Sequence, residues 1–177
     1  MIQGEKITLR AIESGDAPKY HQWINDEASN ATRGLYLPTS FKDAQAWIDA
    51  RTSPTQDSLW LALEIPDKAI IGFVGFRNMC SRSRRAEITI YIGDKSEWRK
   101  GYGKDAFNTL CRFGFESLNL FRIWLECDAE YARIVNAYEQ VGFVQEGRLR
   151  KSYFRHGSYR DTLVMGLLKE DWDKRGK

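Results

Sequence analysis

The sequence has few of the residues that build cross-links or metal centres. Its three cysteines, Cys80, Cys111 and Cys127, form no CxxC pair, and its two histidines, His21 and His156, are far apart. Neither a disulfide framework nor a zinc site is expected from this composition. The opening MIQGEKITLR has no apolar signal segment, and no run approaches the roughly 20 apolar residues of a membrane span. These absences predict a metal-free cytoplasmic protein without membrane contact.

A large net charge is also missing. Lys and Arg number 27 and Asp and Glu number 24, which leaves +3 at pH 7 over 177 residues. A dedicated nucleic-acid-binding domain is usually far more basic, so nucleic acid is not the expected partner. The chain does have 42% hydrophobic residues, including many aromatics, which is enough for the core of a single domain over residues 1–177.

Hydrophobic periodicity predicts a mixed α+β fold. The expected order is strand 6–12, helix 14–26, a helix from Ser40, strands 59–65, 69–78 and 86–93, helix 104–118, strand 121–127, helix 128–140, and a closing hairpin that turns at His156-Gly157. Ala11 is expected on the inner side of the first strand, Asp16 as a helix cap, and Ser40 with Asp43 as a capping box. Parallel pairing is expected only where a helix crosses over, between strands 86–93 and 121–127.

The stretch EWRKGYGKDA, residues 97–106, places a basic, glycine-rich loop between a strand and an amphipathic helix. Backbone N–H groups and the helix dipole converge at such a loop, and its glycines permit a ligand to approach closely. A pyrophosphate is the ligand that this arrangement favours. A solvated turn whose glycines relieve strain accounts for the same residues.

The same loop also satisfies a dinucleotide-binding pattern. Residues 101–106 match GxGxxA, and Glu126 ends a strand about 20 residues later. In a dinucleotide fold, however, the glycines follow the strand directly, whereas residues 94–100 intervene here. Too few strands and helices follow Glu126 to complete a doubly wound domain. NAD(P) binding is therefore the remote alternative, and a comparison with coenzyme A binding would separate the two.

Taken in order, AEITIYIG, WRKGYGKDA, FRIWLEC and DAEYARIVNAYEQVGF resemble the GCN5-related N-acetyltransferases, abbreviated GNAT. The resemblance covers nearly the whole chain. ITLRAIESGDAPKYHQW, the YxxxGF of residues 138–143 and the ending HGSYRD…LLKEDW resemble the subgroup of ribosomal-protein N-terminal and polyamine N-acetyltransferases. This resemblance implies a mostly antiparallel sheet flanked by helices, with a splayed parallel strand pair that holds the cofactor. It also implies acetyl-CoA as cosubstrate, an amine acceptor such as a protein N-terminus or a polyamine, and a possible homo-oligomer.

The resemblance assigns the cofactor-binding residues. Backbone groups of Ile90, Tyr91 and Ile92 would bind the pantetheine arm, and Ile92 is a candidate oxyanion donor. The pyrophosphate would lie on the loop formed by Trp98, Arg99, Lys100, Gly101, Tyr102, Gly103 and Lys104. Trp98 stands where the broad family has Gln or Arg, an exchange associated with the subgroup. Tyr131 stands where many relatives have asparagine, and Asn136 is the candidate substitute.

Two residues are candidates for the chemistry. A lysine-like amine has a pKa of about 10.4 and is mostly protonated at neutral pH, so a base is needed, and Glu87 could act through water. An ion pair with a nearby arginine explains Glu87 equally well. Tyr138 matches the family tyrosine beside the thioester sulfur. A phenol, with a pKa of about 10, is a weaker acid than a thiol at about 8.5, so the expected role is a hydrogen bond to sulfur. A core aromatic is the structural alternative for Tyr138.

The acceptor is not identified by any motif. Residues 13–57 contain seven acidic and four basic side chains, which suits a cationic amine or a solvated surface equally well. The basic turn of Arg82, Arg84 and Arg85 could bind the adenosine phosphate of the cofactor, RNA or only water. A non-catalytic coenzyme A- or RNA-binding module on the same fold remains the alternative to an enzyme.

Overall fold

The computed structural model describes residues 1–30, 37–155 and 157–175, with the side chains of residues 68 and 69 left aside. Its strands are β1 Ile2–Gln3, β2 Thr8–Ala11, β3 Leu59–Ile65, β4 Lys68–Cys80, β5 Arg85–Ile92, β6 Arg122–Asp128, β7 Val144–Arg155 and β8 Ser158–Leu168. Its α-helices are α1 Ala17–Ile24, α2 Phe41–Asp49, α3 Tyr102–Glu116, α4 Ala132–Val141 and α5 Lys169–Lys174, and short 3₁₀ helices span Ser14–Asp16 and Lys95–Glu97.

One eight-stranded sheet organises the molecule, in the order β1-β2-β3-β4-β5-β6-β8-β7. All neighbouring strands in this order are antiparallel except β5 and β6, which pair in parallel from Arg85–Arg122 to Glu87–Trp124. Beyond this point β5 and β6 no longer pair with each other, although β5 stays paired with β4 to Ile92 and β6 with β8 to Asp128. The predicted α+β fold with a splayed parallel pair is confirmed. A doubly wound dinucleotide domain is excluded, because its sheet is mostly parallel.

The two faces of the sheet carry separate cores. The larger core packs α3 and part of α4 on the sheet and includes Phe76, Leu110 and Phe115. The smaller core lies under α1 and α2, where Tyr20 stacks on Trp47 with ring centroids 4.3 Å apart. Successive strand side chains point to opposite faces, so one strand such as β5 contributes to both cores. The gap between the diverging ends of β5 and β6, called the splay below, therefore opens between two helix layers.

The N-terminal part differs from the prediction in two places. Ala11 is exposed and Ile12 is buried, because β2 ends at Ala11 and the chain turns into the first 3₁₀ helix. Asp16 is the N-cap residue of α1, but its side chain does not cap that helix. Its carboxylate accepts the Glu13 N–H at 3.0 Å, in a capping box of the first 3₁₀ helix, and two hydrogen bonds of 2.8 Å from Arg10. The cap at Ser40 is confirmed, since Asp43 N–H donates to Ser40 Oγ at 3.1 Å.

The C-terminal half follows the predicted order with shifted boundaries. Helix α4 begins at Ala132, because Asp128 belongs to β6 and its carbonyl accepts the Tyr131 N–H at 3.2 Å, which forms a turn. The closing hairpin of β7 and β8 is confirmed, although His156 lies outside the described residues. Helix α5 was not predicted; its Trp172 packs on Phe115 at 5.7 Å between ring centroids.

Candidate active site

The glycine-rich loop ends in an open helix N-terminus. Gly101 occupies the N-cap of α3 with φ +89°, a left-handed conformation that glycine adopts without strain. Gly101 has no side chain that could cap the helix, and within the described part of the chain the first N–H groups of α3 are left open to an anion. A Cβ placed on Gly103 would have only the Cδ1 of Ile92 nearby, at 3.5 Å. Packing within the protein therefore does not require glycine there, whereas a closely approaching phosphate would.

The side chains of the loop are partly engaged within the protein. The Trp98 indole N–H donates to the Ile92 carbonyl at 2.9 Å, which ties the loop to the end of β5. Lys100 bonds Glu97 at 3.0 Å, and Lys104 bonds Gln140 of α4 at 3.1 Å. Trp98 thus has a clear structural role. The loop as a whole brings Arg99, Lys100 and Lys104 to the N-terminus of α3, which suits a diphosphate.

Three residues of β5, Ile90, Tyr91 and Ile92, were predicted to bind the cofactor through backbone groups, and only two of them have backbone groups that face the splay. Ile92 lies opposite Gly72 in β4, and the next N–H, that of Gly93, donates to a β4 carbonyl at 3.0 Å. Hydrogen-bonding direction alternates along a strand, so the N–H and C=O of Ile90 and Ile92 point toward the splay, while those of Tyr91 point to β4. The expectation that Tyr91 offers backbone groups to the cofactor is wrong, because the β4 ladder uses them.

Tyr138 lies on the other side of the splay. Its ring packs between Phe107 and Phe143, with centroids 4.9 and 6.2 Å away. Burial, and secondarily the nearby Cys127 at the end of β6, raise the pKa of Tyr138 well above its ordinary value. Within the described part of the chain its hydroxyl makes no hydrogen bond. Tyr138 is therefore a protonated donor with no internal acceptor, near the edge of the splay.

Glu87 is the last residue of β5 that pairs with β6, directly before the splay. Its carboxylate is buried and accepts hydrogen bonds from Arg77 and, at 2.7 Å, from Asn78. The arginine partner that the sequence left open is thus present. Because Ala86 and Ile88 belong to the larger core, Glu87 points to the α1–α2 face, opposite Tyr138. The two candidate residues flank the splay from its two sides.

The loop between β6 and α4 is held by a buried arginine that sequence reasoning missed. Arg155 of β7 is almost fully buried, lies 3.6 Å from the Asp128 carboxylate, and sits 5.2 Å from the Tyr131 ring centroid. Tyr131 is the N-cap of α4, so this contact helps to set the position of the helix that carries Tyr138. Asn136 is exposed on the same helix.

On the α1–α2 face, a cavity of about 240 Å³ opens beside the end of β5, lined by Gln22, Trp23, Asp26, Ser29, Gly93, Asp94, Lys95 and Ser96. The hydrogen bond from Lys95 lowers the pKa of Asp26 to about 2. Asp26 therefore carries its negative charge at neutral pH, in a cavity that it shares with Asp94 and with its partner Lys95.

Arg84 of the basic turn and His21 both have partners within the protein. Arg84 donates to the carbonyl and the side-chain oxygen of Asn119 at 2.7 and 2.5 Å. This turn precedes β5 and the glycine loop follows it, a separation of roughly 20 Å at 3.3 Å per residue. The turn cannot contact phosphates bound at the loop. His21 Nε2 lies 3.1 Å from the Thr39 carbonyl.

Two further absences hold for the described residues. Among residues 1–30, 37–155 and 157–175, no three His, Cys, Asp or Glu side chains are grouped so as to hold a metal ion. In the same ranges, no helix combines the length and apolar character needed to cross a membrane.

Comparison with known proteins identifies the family. The sequence profile described as acetyltransferase (GNAT) domain matches residues 6–144, and the chain belongs to this family. The chain is 32% identical to the spermidine N(1)-acetyltransferase of Escherichia coli strain K12, over 97% of this chain and 91% of that protein. It is 28% identical to the Vibrio cholerae enzyme of the same name, over 97% and 98%. The crystal structure of Vibrio cholerae spermidine N-acetyltransferase with CoA and spermine superposes with a TM-score of 0.85 at 28% identity, covering 94% of this chain and 98% of that one.

The protein is accordingly an N-acetyltransferase that uses acetyl-CoA. Family membership confirms the predicted fold, reaction class and cosubstrate, and it decides against the non-catalytic module. The roles of the individual site residues stay predictions. The arginine partner of Glu87 could have been identified as Arg77 from the sequence, because the correct register of the β4–β5 hairpin places Arg77 opposite Glu87.

Proposed function

We propose that this enzyme transfers the acetyl group of acetyl-CoA to a primary amine of a polyamine. The observation that carries the proposal is the similarity to spermidine N(1)-acetyltransferases along 97% of the chain, together with the match to a solved complex that contains spermine. The acidic cavity beside β5 supports it, because carboxylates suit a polycation.

The donor side of the site would be formed by β5, α3 and α4. The N–H and C=O of Ile90 and the N–H of Ile92, which point into the splay, would bind the pantetheine arm, while the Ile92 carbonyl accepts the Trp98 indole N–H. The N-terminus of α3, with the loop from Arg99 to Lys104, would bind the phosphates. When bound, acetyl-CoA supplies an acyl group activated as a thioester. Tyr138 would donate a hydrogen bond to sulfur as negative charge develops there.

The acceptor side would be the α1–α2 face. Glu87, held there by Arg77 and Asn78, would receive the proton of the amine through water. With Glu87 and Tyr138 on opposite faces, the amine and the donor approach the splay from opposite sides. Proton removal and sulfur stabilisation are thereby assigned to separate residues.

Self-association belongs to the same proposal. A Vibrio cholerae relative has been solved as a dodecamer, at 26% identity and a TM-score of 0.82. We expect this chain to form a homo-oligomer, which light scattering at the enzyme's working concentration would measure.

The acceptor is tested by release of free coenzyme A with spermidine, spermine, aminoglycosides and N-terminal peptides as alternative substrates. The proposal predicts the highest kcat/KM for a polyamine. A higher kcat/KM for an N-terminal peptide would replace the polyamine by a protein N-terminus, the other acceptor class that the sequence indicated. Asp26→Asn provides a check on the cavity, since it should raise KM for spermidine without changing KM for acetyl-CoA.

A further inference from the structure

Lys6 lies beside the glycine loop, although the two are far apart in sequence. Its Nζ is 3.5 Å from the position that a Cβ would occupy on Gly101, the N-cap of α3. The Lys6 side chain is exposed and makes no ion pair within the described part of the chain. A free ammonium group thus stands next to the open N-terminus of α3.

The backbone of Lys6 is fixed to α3 by a buried carboxylate. Asp105, in the first turns of α3, accepts the N–H of Glu5 at 3.1 Å and the N–H of Lys6 at 2.6 Å. Thr109 also donates to this carboxylate, at 3.4 Å. The Asp105 carboxylate therefore binds backbone N–H groups of the N-terminal turn. It does not pair with the Lys6 ammonium, which stays unneutralised beside the loop.

Close packing holds the same turn in place. A Cβ on Gly4 would lie 2.7 Å from Thr109 Oγ1 and 2.9 Å from Asp105 Oδ2, so the turn sits directly on α3 with no space between. Arg112 adds a hydrogen bond of 2.5 Å to the Gln3 carbonyl. These contacts mean that the position of Lys6 relative to the loop is set by packing and does not depend on chance placement of the chain terminus.

Lys6 differs from two of the cations of the loop itself. Lys100 is bonded to Glu97 and Lys104 to Gln140, whereas the Lys6 ammonium has no partner in the described structure. An ammonium next to unpaired helix N–H groups is a suitable partner for phosphate oxygens. We propose that Lys6 binds a phosphate of acetyl-CoA. This inference rests on the proposed placement of the cofactor phosphates at residues 99–104.

The test is calorimetric binding of coenzyme A and of dephospho-coenzyme A, which lacks the 3′-phosphate. Lys6→Met should weaken coenzyme A binding about 10-fold, the loss expected for one charge-assisted contact, and reduce its dependence on salt. Lys6→Arg should restore most of the affinity. Lys174→Met is the matched control. It removes an exposed lysine at the end of α5, away from the glycine loop, and should leave the affinity for both ligands unchanged.

The measurement with dephospho-coenzyme A shows whether Lys6 contacts the 3′-phosphate or the pyrophosphate. If Lys6 binds the 3′-phosphate, Lys6→Met weakens coenzyme A binding alone; if it binds the pyrophosphate, both ligands lose affinity equally, and either result supports the proposal. Wild-type affinity of Lys6→Met for both ligands would overturn it, as would an equal loss in Lys174→Met. If changes at Arg99 and Gly103 leave coenzyme A affinity intact while Lys6→Met lowers it, the proposed loop site fails and a Lys6 contact stands without it.

Discussion

Removing the Tyr138 hydroxyl should slow acetyl transfer without disturbing the fold. In Tyr138→Phe the ring keeps its contacts with Phe107 and Phe143, and no internal hydrogen bond is lost, because the hydroxyl makes none in the described structure. We therefore expect the free energy of unfolding to change by less than about 1 kcal/mol. A hydrogen bond to a group that becomes charged stabilises by about 1.5–3 kcal/mol, so kcat should fall roughly 10- to 100-fold.

The assay is release of free coenzyme A at saturating acetyl-CoA and acceptor. KM for acetyl-CoA should stay near the wild-type value, because the lost contact forms only as charge develops on sulfur. Burial raises the pKa of Tyr138, so its hydroxyl keeps the proton through the alkaline range and the ratio of wild-type to variant kcat should be constant from pH 7 to about 9. Tyr20→Phe, in the smaller core, is the matched control. A kcat for Tyr138→Phe within twofold of wild type would refute the role.

Three further predictions concern the rest of the site. Glu87→Gln should lower kcat about 100-fold or more, whereas Arg77→Met, which keeps the carboxylate and its Asn78 hydrogen bond, should lower kcat less; equal losses in steady-state assays would show that the Arg77–Glu87 ion pair, and not a base at Glu87, accounts for the effect. Gly101→Ala should lower the free energy of unfolding by about 1–2 kcal/mol in urea, because Gly101 has a positive φ. Gly103→Ala, inside the helix, should not destabilise the protein but should weaken coenzyme A binding, and unchanged binding would contradict a close approach of the phosphate. Asp26→Asn should lower the melting temperature at pH 7, and because its folded pKa is depressed, the deficit should shrink as pH falls from about 4 to about 2; a deficit independent of pH would show that Lys95 does not cause it.

Local signals in the sequence were sufficient where neighbours in the chain decide the structure. The loop at residues 97–106 was predicted as the start of a helix, and Gly101 does form the N-cap of α3 in a left-handed conformation. The Ser40 cap and the β3–β4 hairpin were predicted for the same reason, since caps and tight turns depend on a few adjacent residues.

Contacts between distant parts of the chain were not predictable from these signals. Asp16 is the predicted cap, but its carboxylate also binds Arg10 of β2 and accepts the N–H of Glu13 instead of an N–H of α1. The direction of the Tyr91 backbone depends on the register of β5 against β4, which sequence periodicity does not specify. Lys6 and Gly101 meet only because Asp105 fixes the N-terminal turn to α3.

The most direct test of the proposed function is mass spectrometry of spermidine incubated with acetyl-CoA and the purified protein. The account predicts spermidine that carries one added acetyl group, formed together with an equal amount of free coenzyme A. Binding of coenzyme A with no acetylated spermidine or spermine at any enzyme concentration would contradict the account.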